Sequence, residues 1–467
     1  MDADVIVVGA GPAGLLLAGD LAEAGVAVTV LERRDVEANL TRAFAVHART
    51  LEELDARGVA DELLGTGQRV GELRLFGTVR VQLSGLPSRF PYLLVTPQYE
   101  TEGVLLRRAE RAGARIERGV EVTALRQDDA GVEVDVRGAD GVAGTRRAAY
   151  LVGTDGVHST VRHALAEPFP GHAAVRSVML ADVQLTEAPP DVLTVDTTQE
   201  GFAFIAPFGD GWYRVIAWDR HNQQPDNAPM DLDQLRDIVR RVLGSDHGMH
   251  DPRWMSRFHS DERQVARYRV GRVFLAGDAA HVHSPAGGQG MNTSLQDAAN
   301  LGWRLAAAVR GWASPEVLDG YQAERHPVGR LVLRGSGGLL RAALVKNQAA
   351  RWARNTLLNA ALRLDPVVHR VAGAVSGIGI RYRAPKGAHR LVGARAGDVA
   401  LLGDGPTRLY EALRGGRFVL VTGGSQEAST APNGWRGPVT KVAPARPLGV
   451  DLLVRPDGYI AWAADAS

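Results

Sequence analysis

Residues 3–32, ADVIVVGAGPAGLLLAGDLAEAGVAVTVLE, decide what kind of fold this chain builds. Asp4 to Val8 has the unbroken apolar character of a buried parallel strand, and LLLAGDLAEAG has the composition of a helix. Between them stands GAGPAG, with Gly9, Gly11 and Gly14 around Pro12 and Ala13. A strand, a glycine turn and a helix in that order let the backbone close up to a pyrophosphate, which then sits at the positive end of the helix dipole. A second strand, Val26 to Leu31, ends in Glu32, 18 positions after Gly14. That is close to the spacing of roughly 20 residues expected for a carboxylate on an adenosine ribose. The fingerprint predicts a bound dinucleotide, and FAD and NAD fit it equally well.

The rest of the chain bounds what that dinucleotide can do. At 467 residues the protein is too long for one ordinary core, so two or three domains are expected. Its 45% hydrophobic and 23% charged residues are those of a soluble globular protein, and a net charge of +1 gives no sign of a nucleic-acid or membrane partner. There is no cysteine, which excludes disulfides, thiolate nucleophiles and Fe–S clusters. Redox chemistry would therefore come from a bound cofactor. The start lacks a basic leading region and is broken by Asp20 and Glu23, unlike a signal peptide, and no stretch approaches the ~18 apolar residues of a spanning helix. A cytoplasmic location is expected.

After Glu32 the arginines Arg33, Arg34, Arg42 and Arg49 precede or open an amphipathic helix, and an arginine near the glycine loop can clamp phosphate through its planar fork. A helix over Thr101–Gly113 and short strands through Val120–Val136 lead to RAAYLVGTDGVHSTVR, a strand running into Gly153-Thr154-Asp155-Gly156 and a helix start at Ser159. From about Val175 to Arg263, alternating aromatic and β-branched runs such as GFAFIAPF and GWYRVIAW predict an inserted antiparallel sheet. Phe202, Phe204, Trp212 and Trp218 would present a face suited to a flat aromatic ligand, although sheet packing explains such residues as well.

FLAGDAAHVHSPAGGQGMN, residues 274–292, places Asp278, His281 and His283 behind a short apolar strand. A metal site is not expected, because the glycine-rich loop offers no further ligand. A third ligand-facing turn is the better reading. Asp278 would accept hydrogen bonds from ribityl hydroxyls, and the glycines would let backbone N–H groups lie against a flavin edge. The helix from about Asn292 to Arg310 would aim its positive end at the N1–C2=O side of the ring, where reduced flavin carries negative charge.

These three turns, in this order and spacing, resemble those of the class A flavoprotein aromatic monooxygenases, the p-hydroxybenzoate hydroxylase fold. HARTLE, PQYETE and LDGYQAERHPVG are similar to the branch that hydroxylates polycyclic aromatic polyketides or inactivates antibiotics. GARAGDVALL and LLVRPDGYIAW resemble that branch's thioredoxin-like C-terminal domain, whose redox cysteines are absent here. The resemblance implies an α/β protein: a Rossmann-like FAD-binding domain over 1–175 and 263–385, a substrate-binding sheet over 176–262, and the C-terminal domain over 386–467.

By the same resemblance, the glycine loop with Pro12, Ala13 and Glu32 holds the ADP half of FAD. Arg42 and Gln98 lie along the pyrophosphate and ribityl chain, with Arg33, Val122 and Asp155 beside the same ligand. Gly277, Asp278, Gly288, Gly290, Met291 and Asn292 border the ribityl and ring. Pro285 stands where substrate and O2 meet, and Phe202, Phe204, Trp212 and Arg214 are substrate-side candidates. The implied chemistry is reduction of FAD by NADPH or NADH, formation of a flavin C4a-hydroperoxide with O2, and attack on it by a phenolic carbon. Tyr213, Arg214, Asp219 and His259 are offered as polar groups for that phenol, with none singled out as catalytic. His281 and His283 read as structural. Antibiotic inactivation and Baeyer–Villiger oxidation stay open as relatives of this reaction. A flavin-binding protein without catalysis and a flavin-free nicotinamide dehydrogenase are the contrasting classes, and the chain is either a monomer or a homodimer.

Overall fold

A computed structural model describes residues 1–36, 43–208, 210–285, 287–422 and 435–465. Arg42 lies outside them. An eight-stranded sheet organises the first body. Its parallel centre is the row Val273–Leu275, Ala143–Gly153, Ala3–Val8, Val28–Glu32 and Arg115–Arg118. Val8 pairs with both Gly153 and Leu31, and Gly153 pairs with Leu275. Four adjacent strands therefore end level, and the turns that follow them, at Gly9, Glu32, Thr154 and Ala276, lie along one edge. That edge is where open α/β sheets bind ligands. The central strands are buried on both faces, and the helices Pro12–Glu23 and Gly290–Val309 pack against each other. This burial explains why their sequences read as continuous apolar runs rather than alternating ones.

A second, six-stranded antiparallel sheet runs Thr194–Thr197, Gly201–Pro207, Tyr213–Asp219, Gly171–Leu185, Met249–Gln264 and His281–Val282. Its two faces differ in cover. Met179, Ala181, Ala203, Ile205, Val215 and Ala217 pack on a helix, Leu232–Leu243, inside the stretch whose alternation predicts only sheet. That helix is capped by Asp231 at its start and by left-handed Gly244 at its end. The opposite face carries Leu180, Phe202, Phe204, Ile216 and Trp218 toward the first body, where Leu340 of helix Asp319–Ala343 meets them.

The last stretch forms a five-stranded mixed sheet, Leu401–Leu402, Val439–Pro444, Phe418–Val421, Val450–Val454 and Ile460–Asp465. It docks through buried charge. Arg49 is fully buried and reaches Glu52, Glu53 and the Tyr410 hydroxyl, so it serves this interface and not a phosphate. Arg455 forks onto both oxygens of Glu324 at 2.7 and 2.9 Å. Among the described residues no helix is long and apolar enough to cross a membrane.

Candidate active site

A cavity of about 460 Å3 opens between the turn edge of the first sheet and the uncovered face of the second. The wall on the first-sheet side includes Gly9, Gly11, Pro12, Ala13, Glu32, Arg33, Gln98, Val122, Asp155, Gly277, Asp278, Pro285, Gly288, Gly290 and Met291. Residues up to 282 positions apart in sequence are thereby brought together. The opposite wall is Phe44, Leu180, Ile216 and Phe258, with His259, Ser260 and Asp261 at its polar margin.

The glycine turn is built by close approach. A Cβ on Gly14 would stand 2.0 Å from the Gly9 carbonyl oxygen, which no side chain tolerates. Gly14 itself is not on the wall; it closes the turn so that Gly11 can be. Gly11 has no protein atom within 4 Å of where its Cβ would be, and it is the N-cap of helix Pro12–Glu23 with no side-chain cap bond. An unfilled helix N-terminus on a cavity wall attracts an anion.

Glu32 accepts the Ala10 N–H at 2.8 Å on one oxygen and the backbone and side-chain N–H groups of Arg34 on the other. Burial alone would raise its pKa, but these donors outweigh it and hold the carboxyl below its ordinary range. Asp155 is turned to local use: Ser159 Oγ donates to one oxygen and the Val161 N–H to the other, at 3.1 Å. Burial pushes its pKa up. What the second turn presents to the cavity is thus the backbone around Thr154–Gly156.

Behind the third turn lies a second layer that sequence reading missed. Asp297 accepts from His281 Nε2 at 2.6 Å, from the Gly277 N–H at 3.3 Å and from Arg325 Nε at 2.6 Å. Asn292 is absent from the wall; its amide donates to the Ala45 and Gly288 carbonyls and its oxygen accepts from the His47 N–H. His47 Nε2 in turn donates to the Gly287 carbonyl at 2.8 Å. His47 and His283 are both pulled down to about 4 by burial, so both are neutral at pH 7. His283 Nδ1 donates to Ser284 O at 2.9 Å. Among the described residues no group of three or more His, Cys, Asp or Glu side chains is arranged to hold a metal.

The substrate-side candidates are redistributed. His259 and Pro285 are on the wall, whereas Phe202, Phe204, Trp212, Tyr213, Arg214 and Asp219 are not. Phe202 stacks on Trp218 and Phe204 lies 5.0 Å from Phe44, so both brace the face that Leu180 and Ile216 present. Arg214 is fully buried and forks onto Asp182 at 2.8 and 2.9 Å, and Trp212 lies under Arg253. Asp219 is tied to Arg241. Leu180, Ile216 and Phe258 carried no individual signal in sequence. Their only mark is the period of two that puts them on the face shared with Phe204.

The family model for the FAD binding domain matches residues 2–336, and that for the aromatic-ring hydroxylase C-terminal region matches residues 389–467. The rifampicin monooxygenase of Streptomyces venezuelae is 39% identical over 99% of this chain and 96% of its own length. Among solved structures, CabE, an aromatic hydroxylase from angucycline biosynthesis, superposes with a TM-score of 0.89 at 39% identity, over 99% of this chain and 96% of CabE. OxyS, the anhydrotetracycline hydroxylase from Streptomyces rimosus, gives 0.87 at 38% identity, over 100% and 96%. The chain belongs to the FAD-dependent aromatic-ring hydroxylases. It is a flavoprotein monooxygenase in which FAD is the cofactor.

The residues present fit that cofactor. Gly11 leaves room beside a helix N-terminus for a pyrophosphate, and Glu32 offers a charged acceptor 22 positions along from Ala10, whose N–H it already holds. His283 Nε2, beside the third turn, is buried on the cavity wall with no protein partner, which is what a wall that meets a polar ligand leaves open.

Proposed function

We propose that this chain hydroxylates a polycyclic phenol of the aromatic-polyketide kind, with NAD(P)H and O2 as co-substrates. The observation that carries the reading is a single cavity with a nucleotide-type edge on one side and an apolar sheet face on the other. In it Gly9, Gly11, Pro12 and Ala13 would hold the pyrophosphate of FAD and Glu32 would accept from its ribose. Arg33, Val122 and the Asp155 turn would flank the adenosine half. Gln98 and Asp278 would take the ribityl chain, and Gly288, Gly290 and Met291 would border the ring at the N-terminus of helix Gly290–Val309. When bound, FAD carries the nicotinamide electrons to O2 and supplies the activated oxygen.

The protein's own task is to position and to dry. Phe44, Leu180, Ile216 and Phe258 give a flat ring an apolar seat that keeps water from the reacting oxygen. Pro285 closes the seat next to the ring. Over the whole reaction the substrate C–H becomes C–OH, the second oxygen atom leaves as water, the nicotinamide gives up a hydride and one proton is taken from solution. No side chain forms a covalent bond to the substrate. The division into 1–175 with 263–385, 176–262 and 386–467 is part of this proposal, supported by the separate cores of the two smaller sheets.

Relatives named for rifampicin and for anhydrotetracycline support a large polycyclic substrate and make drug inactivation the second reading. One assay separates them. NADPH oxidation by the purified, yellow protein is followed with a panel of polycyclic phenols, a tetracycline and a rifamycin. Acceleration by a phenol with one oxygen added to an aromatic carbon supports biosynthetic hydroxylation. Acceleration by a drug alone favours inactivation, and no acceleration by any member sinks both. Asp278→Ala is expected to weaken flavin retention.

A further inference from the structure

We infer that the C-terminal unit positions the flavin-side turn Gly277–Asp278 through a buried line of contacts running from Tyr459 and Tyr382 to Arg325, then Asp297, then the Gly277 N–H. This deepens the reading above and rests on it, since it takes that turn to meet FAD. Gly277, at a positive φ of 60°, opens a short 3-10 turn closed by the Ala280 N–H to its carbonyl at 2.8 Å, and its own N–H points out of that turn to Asp297. Asp297, fully buried, divides its oxygens: one accepts from Gly277 and His281, the other from Arg325 Nε. Burial opposes the charge on Asp297, but Arg325 and His281 outweigh it, and the carboxyl titrates below its ordinary range.

Arg325 is also fully buried, and each of its three nitrogens is engaged. Beyond Asp297, Nη2 donates to the Thr293 carbonyl at 3.2 Å and Nη1 to the Tyr382 hydroxyl at 3.1 Å. The Tyr382 ring lies 4.2 Å from that of Tyr459, and the Tyr382 N–H donates to Gly393 O while the Gly393 N–H donates to Ile460 O. The last sheet therefore presents Tyr459, at an interplanar angle of 35°, to the ring of Tyr382 at the end of the first body's chain, and the Tyr382 hydroxyl holds one guanidinium nitrogen of Arg325. In a water-excluded line such as this, a displacement at one end is passed on because each group has a single satisfied arrangement. With no cysteine in the chain, positioning is a role the C-terminal unit can fill without redox chemistry.

The test compares two substitutions that each remove a buried tyrosine hydroxyl bonded to an arginine of the first body. Tyr382→Phe cuts the line. Tyr410→Phe removes the contact to Arg49 instead; Arg49 lies over the Tyr459 ring at 5.0 Å, but the hydrogen bonds of Tyr382, Arg325 and Asp297 are left in place. The dissociation constant for FAD is measured by titrating flavin-free protein, alongside its melting temperature and the fraction of NADPH consumed without product. Tyr382→Phe is expected to weaken FAD about tenfold, the equivalent of one hydrogen bond to a charged group, and to raise the unproductive fraction. Tyr410→Phe is expected to lower the melting temperature comparably while FAD affinity stays within about twofold of the parent. Unchanged FAD affinity in Tyr382→Phe, or equal weakening in both variants, overturns the inference. If Asp278→Ala also leaves FAD binding unchanged, the turn does not meet the flavin and the underlying reading falls first.

Discussion

Gly11 and Gly14 stand three positions apart in one turn, and they are glycines for different reasons. Gly14 has the Gly9 carbonyl 2.0 Å from its missing Cβ, whereas the space beside Gly11 is empty of protein. Gly14→Ala should therefore damage the fold itself, lowering the melting temperature of flavin-free protein by several degrees. Gly11→Ala should leave that temperature near the parent's and cost FAD affinity, read by fluorescence titration. Equal behaviour of the two would remove the distinction. A pH dependence arises at the same scale. His47 and His283 titrate near 4 in the fold because they are buried, against about 6.5 in an unfolded chain. Between those values the unfolded state binds more protons, so stability falls as pH drops from about 6.5 toward 4. Melting temperature measured from pH 7.5 to 5 should fall, and His47→Gln should flatten the slope; a flat parent profile would contradict it. Gly14 was legible in sequence because a close backbone approach demands it, and Gly11 and Glu32 because they stand at fixed short spacings from it. His47, Asn292 and Asp297 were not, because their partners come from distant parts of the chain.

At the scale of elements, the turns after the four parallel strands were readable because each strand is a short apolar run closed by glycine or acid. The helix Leu232–Leu243 was not read, as it lies among runs whose alternation dominated the region, although Asp231 and Gly244 mark its ends. The inserted sheet was legible as a sheet, but which of its aromatic residues would face a ligand was not. Alternation assigns a face, and only the docking of helix Asp319–Ala343 decides which part of that face stays uncovered. That helix also ties in the last sheet through Glu324, whose carboxyl is brought down to about 2. Burial opposes this, and Arg455 and Arg304 overcome it. A depressed carboxyl stabilises the fold at pH values above its unfolded pKa, and the contribution is lost as pH falls through the folded value. The window is therefore about 4.5 down to 2, with roughly 3 kcal/mol at stake. Acid unfolding followed by circular dichroism should show a transition in that window, and Glu324→Gln should lower stability at pH 6 while leaving it little changed at pH 2. Equal destabilisation at both pH values would show that packing and not charge is lost.

At the scale of the whole molecule, one cavity lies between two sheets, and the proposed function gives each sheet its own ligand. The nucleotide edge belongs to a body whose turns are fixed by strand register, while the apolar wall is presented by a sheet braced from behind by the Phe202–Trp218 stack and the Phe204–Phe44 contact. Enlarging a residue on that wall should act on one ligand and spare the other. Ile216 pairs with Leu180 across neighbouring strands, and both border the cavity, so Ile216→Trp fills the seat without touching the glycine turn. Overpacking of this kind costs about 1–3 kcal/mol where the core cannot give, but here the added ring has the cavity to enter. FAD affinity should stay within a factor of two or so of the parent, given additivity for sites without shared partners. The KM for the phenolic substrate should rise at least about tenfold, one such step being 1.4 kcal/mol of lost binding. Unproductive NADPH oxidation should continue, since the flavin edge is intact. If Ile216→Trp instead expels FAD and spares substrate turnover in the remaining holoenzyme, the wall assigned to the substrate holds the flavin, and the two ends of the cavity must be exchanged.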